Sequence, residues 1–266
     1  MTNELAELTK LLHDESWPVA APKKQICDVN SEDDKVDRAD EIINCVFTVT
    51  LKDKRVLDLG CGTGHVCKRV SETCMPSCCI GYDLERRDTP LWDKSDGFQL
   101  TTDVEVVTGA EAFDVILLYD VLDHTKDAAA AVNLLKLAKH VAAPGAKVFI
   151  RNHPWSGRHG GHLYHQINKS HIHVVFTDSE LEEMGYEVPK VHKLTHPQKT
   201  YSEWLKEAGL GNPKPTLLLE DVPPIFQRGL LRERVRRHWK DSFDKNAVKF
   251  PRFQLRQTYV DYTVTI

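Results

Sequence analysis

Residues 55–66 read Arg-Val-Leu-Asp-Leu-Gly-Cys-Gly-Thr-Gly-His-Val, a short apolar run carrying one acid and followed by three glycines in alternate positions. Glycine adopts left-handed backbone that other residues avoid, so Gly60, Gly62 and Gly64 let the chain reverse tightly and approach a ligand without side-chain collision. The residues that follow have helical character, and a helix N-terminus offers backbone N–H groups with no partner inside the helix. A strand, a glycine turn and a helix start in that order belong to a parallel α/β sheet.

The rest of the chain keeps the same rhythm. Cys79–Asp83 is a second short strand, a weaker third lies near Phe98–Leu100, and Phe113–Tyr119 is a long apolar fourth. Asp127–Val141 is rich in alanine and leucine and reads as a helix; Ala143-Pro-Gly-Ala then turns into a fifth strand, Lys147–Arg151. Strands alternating with helical patterns imply right-handed crossovers and a parallel sheet. The rhythm stops from Asn152 to about Pro215, resumes at Thr216–Glu220, and ends on the alternating run Thr258–Ile266. That last run follows a long excursion, so it is expected to lie antiparallel. The fold expected is a doubly wound, mostly parallel seven-stranded α/β sheet with helices on both faces. Ahead of it, residues 3–13 show helical apolar spacing, and a Pro-containing linker spans Trp17–Pro22. Ser31-Glu-Asp-Asp is a capping signal opening a helix whose stripe is Val36, Ala39, Ile42, Ile43 and Val46. The expected division is an N-terminal helix and linker over 1–30 and one domain over 31–266, with a His-rich substrate-side insertion around 152–215.

Composition narrows the class. The chain has 266 residues, 41% hydrophobic and 28% charged, which is the profile of a folded globular chain and not of a disordered one. A formal net charge of −4 gives no global signature for nucleic acid, so any polyanion contact has to come from a local patch. No run of 18 apolar residues occurs, so no membrane span is expected. The cysteines are odd in number and bunched in the first third, which reads as free thiols in a reducing compartment; with no secretory signal at the start, a cytoplasmic location is expected. Cys74, Cys78 and Cys79 lack the second paired cluster that a zinc site needs, and no metal is assigned.

The segment Val56–Val66 resembles the first motif of class I S-adenosylmethionine-dependent methyltransferases, including the acid Asp58 near the strand end. The resemblance implies that Asp58, Gly60, Cys61, Gly62 and Gly64 hold the amino-acid end of the cofactor, whose ammonium needs an anionic partner. Four further matches follow in order. Asp83 and Leu84, after the second strand, are similar to the family's ribose-binding acid and its neighbour. Thr102-Asp103-Val104 sits where the family accepts the adenine amino group. Ala112–His124, with Tyr119, resembles the fourth strand and the loop beyond it, and Val141–Ala146 resembles the turn before the fifth strand. The cofactor implied is S-adenosyl-L-methionine. A dinucleotide fingerprint is the rival reading, but its third small residue would fall on His65, and Asp58 would repel a pyrophosphate.

Ligands of open α/β sheets bind beyond the carboxyl ends of the strands. His124, His153 and Asp120 are therefore the catalytic candidates, and Arg151, Asn152, Trp155, Arg158 and His159 the acceptor-binding ones. Imidazoles supply acid–base groups and guanidiniums suit an anion, so the expected acceptor is polar and anionic, either a metabolite or a nucleic acid component. The series His159, His162 and His165 leaves a metal site as an alternative, and a structural role for the whole loop as another. The fourth-strand loop lacks an Asn-Pro-Pro-Tyr-like tetrapeptide, and no Pro-Cys nucleophile is present, which disfavours the common DNA-base methylating types. Residues 228–240 carry six basic side chains against Glu233, with Leu231, Val235 and Trp239 at helical spacing. They form either a phosphate-contacting patch or a solvated basic face. A methyltransferase-like scaffold without turnover is the competing function from another class.

Overall fold

The computed structural model describes residues 3–21, 31–93, 96–189, 196–227, 229–242 and 249–266. Residues 22–30 of the expected N-terminal segment, and Arg228 of the basic stretch, lie outside the described residues. The strands are β1 (Arg55–Leu59), β2 (Cys78–Tyr82), β3 (Gln99–Thr101), β4 (Phe113–Tyr119), β5 (Ala142–Asn152), β6 (Thr216–Leu219) and β7 (Gln257–Thr265). The helices are α1 (Asn3–Leu11), α2 (Glu32–Val46), α3 (His65–Cys74), α4 (Val104–Thr108), α5 (Ala128–Val141), α6 (Ile172–Val175), α7 (Asp178–Glu183), α8 (Gln198–Glu207), α9 (Gly229–Ser242) and α10 (Arg252–Leu255).

The seven strands form one sheet in the order β3-β2-β1-β4-β5-β7-β6. The pairs β1/β2, β1/β4, β2/β3 and β4/β5 are parallel, so the chain winds outward from β1 to β3 and then restarts on its other side at β4. The order reverses beside β1, which is where a doubly wound sheet opens a crevice. β7 is antiparallel: Gly145 N–H donates to Ile266 O and Ile266 N–H returns to Ala146 O. The strand expected from residue 147 begins at Ala142 instead, because Ala-Pro-Gly-Ala pairs within the sheet through a register shift opposite Phe113 and Val115.

The chain divides into two compact units. One gathers Cys27–Asn152, Lys199–Thr216 and Asp261–Ile266; the other gathers Met1–Ile26, His153–Gln198 and Leu217–Val260. In the first, β1 and β4 are buried on both faces, as parallel strands covered by helices must be. Its core joins Ile42 and Val46 of α2, Cys67 and Val70 of α3, and Val56, Val115, Leu117 and Phe149 of the sheet. α2 starts at a capping box formed by Ser31 and Asp34, and Asp127 caps α5 by accepting from Ala130 N–H. The second unit has its own core around Leu8, Trp17, Trp155, Phe176, Phe226, Val235 and Trp239. Thr177 and Glu180 make the capping box of α7, and Leu231, Val235 and Trp239 form the buried stripe of α9.

Phe149 on β5 is 2% exposed and meets Phe47 edge-on at 5.5 Å between ring centroids. Phe149→Ala is expected to destabilise the chain by about 3–5 kcal/mol through lost contacts and a residual cavity. Asp127→Ala, which removes a cap at the surface, is expected to cost about 1 kcal/mol. Urea unfolding of both variants checks the order, which reverses if the Phe149 site collapses freely.

Candidate functional site

The glycine turn after β1 is folded as its sequence requires. Gly60, Gly62 and Gly64 have φ of 83°, 51° and 84°, all left-handed. A Cβ on Gly60 would lie 2.5 Å from the Val121 side chain, and one on Gly64 would run into Leu100, so these two are fixed by packing. Gly62 differs: a Cβ there meets nothing within 4 Å, which leaves its face open to a ligand. Gly60 and Cys61 donate their N–H groups to Tyr82 O at 2.7 and 3.1 Å, tying the turn to the end of β2. Trp92 Nε1 donates to Gly62 O at 3.1 Å and Thr89 Oγ1 to Thr63 O at 3.3 Å, so the carbonyls point back into the protein.

Two acids face this turn. Asp58 on β1 is 5% exposed. Burial pushes its carboxyl up to about 7, the nearby charge of Asp83 adds to the rise, and the Cys67 thiol, 3.9 Å away, opposes it. Such a group is short of positive charge, which an ammonium would supply. Burial also raises the Cys61 thiol, with the charges of Asp58 and Asp83 adding to the rise, so Cys61 stays a neutral wall residue. Asp83, half-buried after β2, accepts from Gly62 N–H at 2.8 Å through Oδ2 and from Glu85 N–H at 3.3 Å through Oδ1. An ionised carboxylate has about four acceptor positions, so two remain for a pair of hydroxyls. Leu84 beside it is 78% exposed, an apolar side chain with no core of its own. Asp103 caps α4 by accepting from Glu105 N–H at 2.9 Å, and Val104 is 40% exposed. An open glycine face, a buried acid short of a cation and a second acid with lone pairs to spare fit the two ends of an aminoacyl nucleoside.

The far side of the crevice carries Tyr119. Two guanidiniums lie over its ring, Arg38 of α2 at 5.7 Å and Arg151 of β5 at 5.5 Å from the centroid. Each arginine meets a carboxylate. Arg151, 4% exposed, makes two hydrogen bonds to Asp261 on β7, at 2.7 and 2.6 Å. Burial works against its charge, and the bonds and charge of Asp261 outweigh that and hold its pKa above the ordinary arginine range. Arg38 reaches Asp120 Oδ2 at 3.4 Å. Asp120 has φ 52° and donates its N–H to Arg151 O at 2.9 Å. A non-glycine residue in that region is uncommon and clusters at functional sites. His124 is exposed on the turn after β4. Asn152 closes β5 at 0% exposure, and neither its amide oxygen nor its amide nitrogen has a partner among the described residues.

The other acceptor-side candidates belong to the second unit. His153 places Nδ1 3.2 Å from Thr258 O, and its ring lies 5.1 Å from His159 and 4.4 Å from Tyr259. Trp155 packs on His173 and Trp239 in the core. Arg158 donates to Glu220 Oε2 at 2.6 Å and to Val19 O at 2.7 Å. His159 is buried, and burial drives its pKa well below the usual imidazole value, with His153 and Arg158 adding to the fall. In α9 three basic side chains are paired with acids, Arg234 with Glu180, Arg236 with Glu233 and Arg237 with Glu4, while Arg232 lies over Phe250. Among the described residues, no helix is long and apolar enough to cross a membrane.

Sequence reasoning missed Trp92 and Thr89, which anchor the glycine turn, and the contribution of α2. His65, 5% exposed, bonds Thr63 Oγ1 through Nδ1 and Glu32 Oε1 through Nε2, both at 2.8 Å. Arg69 of α3 holds Asp40 of α2 at 2.9 and 3.0 Å. The signal available was the acid-rich first turn of α2, which read as capping alone.

A family model described as a methyltransferase domain matches residues 31–212, more than two thirds of the chain. The chain belongs to that family, within the class I S-adenosylmethionine-dependent methyltransferase superfamily, and S-adenosylmethionine is the cofactor this membership assigns. No curated protein matches the sequence. Among solved structures, a SAM-dependent methyltransferase from Archaeoglobus fulgidus is similar with a TM-score of 0.51 and 17% identity over 89% of this chain and 95% of that one. The putative methyltransferase in complex with the Haloferax volcanii Trm112 activator gives a TM-score of 0.49 and 12% identity, covering 88% and 91%. Phosphoethanolamine N-methyltransferase 2 of Haemonchus contortus gives 0.49 and 15%, covering 86% of this chain and 52% of that one.

If Asp58 pairs with the ammonium of the cofactor, its raised pKa gives cofactor binding a pH dependence. An ammonium pairs with the carboxylate form, so binding releases a proton wherever Asp58 is protonated in the ligand-free chain. Affinity for S-adenosylmethionine should rise through about pH 7 and level off above it, falling by about tenfold per pH unit on the acid side. Calorimetry in buffers of different ionisation heat checks this. Asp58→Asn should bind weakly without that slope; a slope that persists in this variant removes Asp58 as its source.

Proposed function

We propose that the chain transfers the sulfonium methyl group of S-adenosylmethionine to a polar acceptor. The observation that carries this reading is the buried Asp58 carboxyl beside the open face of Gly62, with Asp83 on the next strand. In this reading Asp58 and the backbone of Gly60, Cys61, Gly62 and Gly64 hold the aminoacyl end, and Asp83 accepts the ribose hydroxyls. Leu84, Asp103 and Val104 border the adenine, and Tyr119 closes the crevice over the sulfonium end. The cofactor supplies an electrophilic methyl carbon. What the chain supplies is alignment and exclusion of water, since an in-line displacement gains most from positioning.

The acceptor is proposed to be polar because β5 and the turn after β4 end in polar side chains, Asn152 on the one and Asp120 and His124 on the other. Arg151 and Arg158 each already face a carboxylate, so the electrostatic ground for an anionic acceptor is weaker than the sequence suggested. The same holds for a phosphate contact by α9. Where the acceptor atom carries a proton that must leave, His124 is the proposed base, being exposed after β4, while Asp120 is held by Arg38.

Calorimetry with S-adenosylmethionine tests the cofactor half. Gly62→Val, in a chain still folded by circular dichroism, should abolish binding. Asp83→Ala should cost about 1.5–3 kcal/mol for each charge-assisted bond lost. Unchanged affinity in both variants would overturn the proposal. Once an acceptor is found by transfer of labelled methyl, Asn152→Ala should raise its KM while leaving cofactor affinity intact; equal loss of both would make Asn152 a structural residue.

A further inference from the structure

Thr63 stands between Gly62 and Gly64, whose φ values of 51° and 84° are both left-handed. Glycine is the most permissive residue and loses the most freedom on being fixed, so neither neighbour holds the Thr63 backbone in place. The helix that follows gives no help of the usual kind, since Gly64 is the N-cap of α3 and has no side chain to bond its first N–H groups. The turn is therefore held from outside. Asp83 accepts from Gly62 N–H, and Trp92 Nε1–H and Thr89 Oγ1–H donate to the carbonyls of Gly62 and Thr63. The Thr63 side chain meets His65.

His65 opens α3 with its imidazole 5% exposed, Nδ1 lying 2.8 Å from Thr63 Oγ1 and Nε2 2.8 Å from Glu32 Oε1. The hydrogen bond from His65 holds the Glu32 carboxyl below the usual range; burial opposes this, and the charges of His65, Lys35 and Lys68 add to it. An ionised carboxylate can only accept, so Nε2 carries a proton. With that one proton on the ring, Nδ1 is an acceptor and Thr63 Oγ1–H donates to it. The direction of both bonds is thus set from the carboxylate end. Glu32 is a firm anchor for this purpose. It is the first residue of α2, whose opening turn is fixed by the capping box of Ser31 and Asp34, and α2 is tied to α3 a second time where Arg69 grips Asp40. The two ends of the Glu32–His65 bond differ in exposure, since the carboxylate side chain is 60% exposed. Breaking the bond leaves Glu32 to water, and the cost falls on the buried ring and on the turn it holds.

We infer that His65 is a positioning residue for the cofactor: anchored by Glu32, it fixes Thr63 and so keeps the turn in the shape that leaves the Gly62 face open. This role presupposes the cofactor site proposed for the same turn. Glu32 acts through His65, and His65 acts through Thr63.

The test uses the full chain and three measurements: 15N shifts of the His65 ring, hydrogen exchange of the Gly62 amide without ligand, and calorimetry with S-adenosylmethionine. Nε2 should be protonated in the parent. Glu32→Ala should speed Gly62 exchange and weaken cofactor binding, each by about tenfold, the size of one lost hydrogen bond. Thr63→Val should weaken binding similarly, and the double variant should bind no worse than either single one, because both changes break the same chain of bonds. Glu32→Gln keeps an acceptor for Nε2–H and should bind like the parent. So should Asp33→Ala, which removes another acid from the first turn of α2 and shares any effect of helix charge. Parent-like cofactor affinity in Glu32→Ala, an equal loss in Asp33→Ala, no recovery in Glu32→Gln, or an unprotonated Nε2 each overturns the role of His65 while leaving the cofactor site standing. A parent chain that binds no S-adenosylmethionine overturns the cofactor reading and this role together, and Gly62 exchange that still responds to Glu32→Ala then marks the contact as structural.

Discussion

A carboxylate at the inner end of a parallel strand has few ways to be satisfied. Asp58 is shielded by α3 and by β2, and it sits near a second acid, so its ionised form is held at a cost. The surrounding structure relieves little of this cost from within: the Cys67 thiol donates only weakly at 3.9 Å, and Gly60 and Cys61 direct their N–H groups to Tyr82 O. In the proposed reading an external cation meets that need. The glycine conformations, the anchors from Trp92 and Thr89 and the bond from Asp83 to Gly62 N–H all keep the turn in the one shape that leaves this acid and the Gly62 face available.

The opposite wall follows the reverse rule. Arg151 is buried as deeply as Asp58, but it has a bidentate partner in Asp261, and it stacks on Tyr119. A buried guanidinium fixed in this way gives rigidity to the ends of β4, β5 and β7 and little electrostatic attraction to a substrate. Arg38 and Asp120 repeat the pattern more loosely at 3.4 Å, and they connect α2 to the same corner. In the proposed reading the pull on an acceptor then comes from neutral groups.

The strands, the glycine turn and the capping boxes were legible because each depends on residues close together in sequence. Ser31 with Asp34, Thr177 with Glu180, and Gly60 to Gly64 carry their own geometry. β3 was nearly hidden because it is three residues long and its edge position leaves Gln99 exposed. The state of Arg151 could not be read because its partner lies 110 residues further on, and Arg158 meets Glu220 across 62. For the same reason the basic run in α9 resembled a phosphate patch: its acids, Glu180 and Glu4, come from distant segments. The histidine cluster was visible as composition, but whether its rings face water or a core is a property of packing, and Trp155, His171 and His173 are buried.

That burial gives the two units opposite responses to protons. Asp58 has a folded pKa of about 7 against an ordinary 3.8, so the folded form binds its proton more tightly, and this group's contribution to stability is full below 3.8 and is lost as pH rises through 7. His171 has a folded pKa of about 4 against 6.5, so its contribution is full above 6.5 and is lost as pH falls through 4. His159, His196 and His238 shift in the same direction, each chiefly through burial. Near neutral pH the histidine-rich unit is thus close to its most stable protonation state, whereas the glycine-turn unit carries an unmatched acid there. In the proposed reading a cationic ligand would relieve that acid and stabilise the unit that binds it.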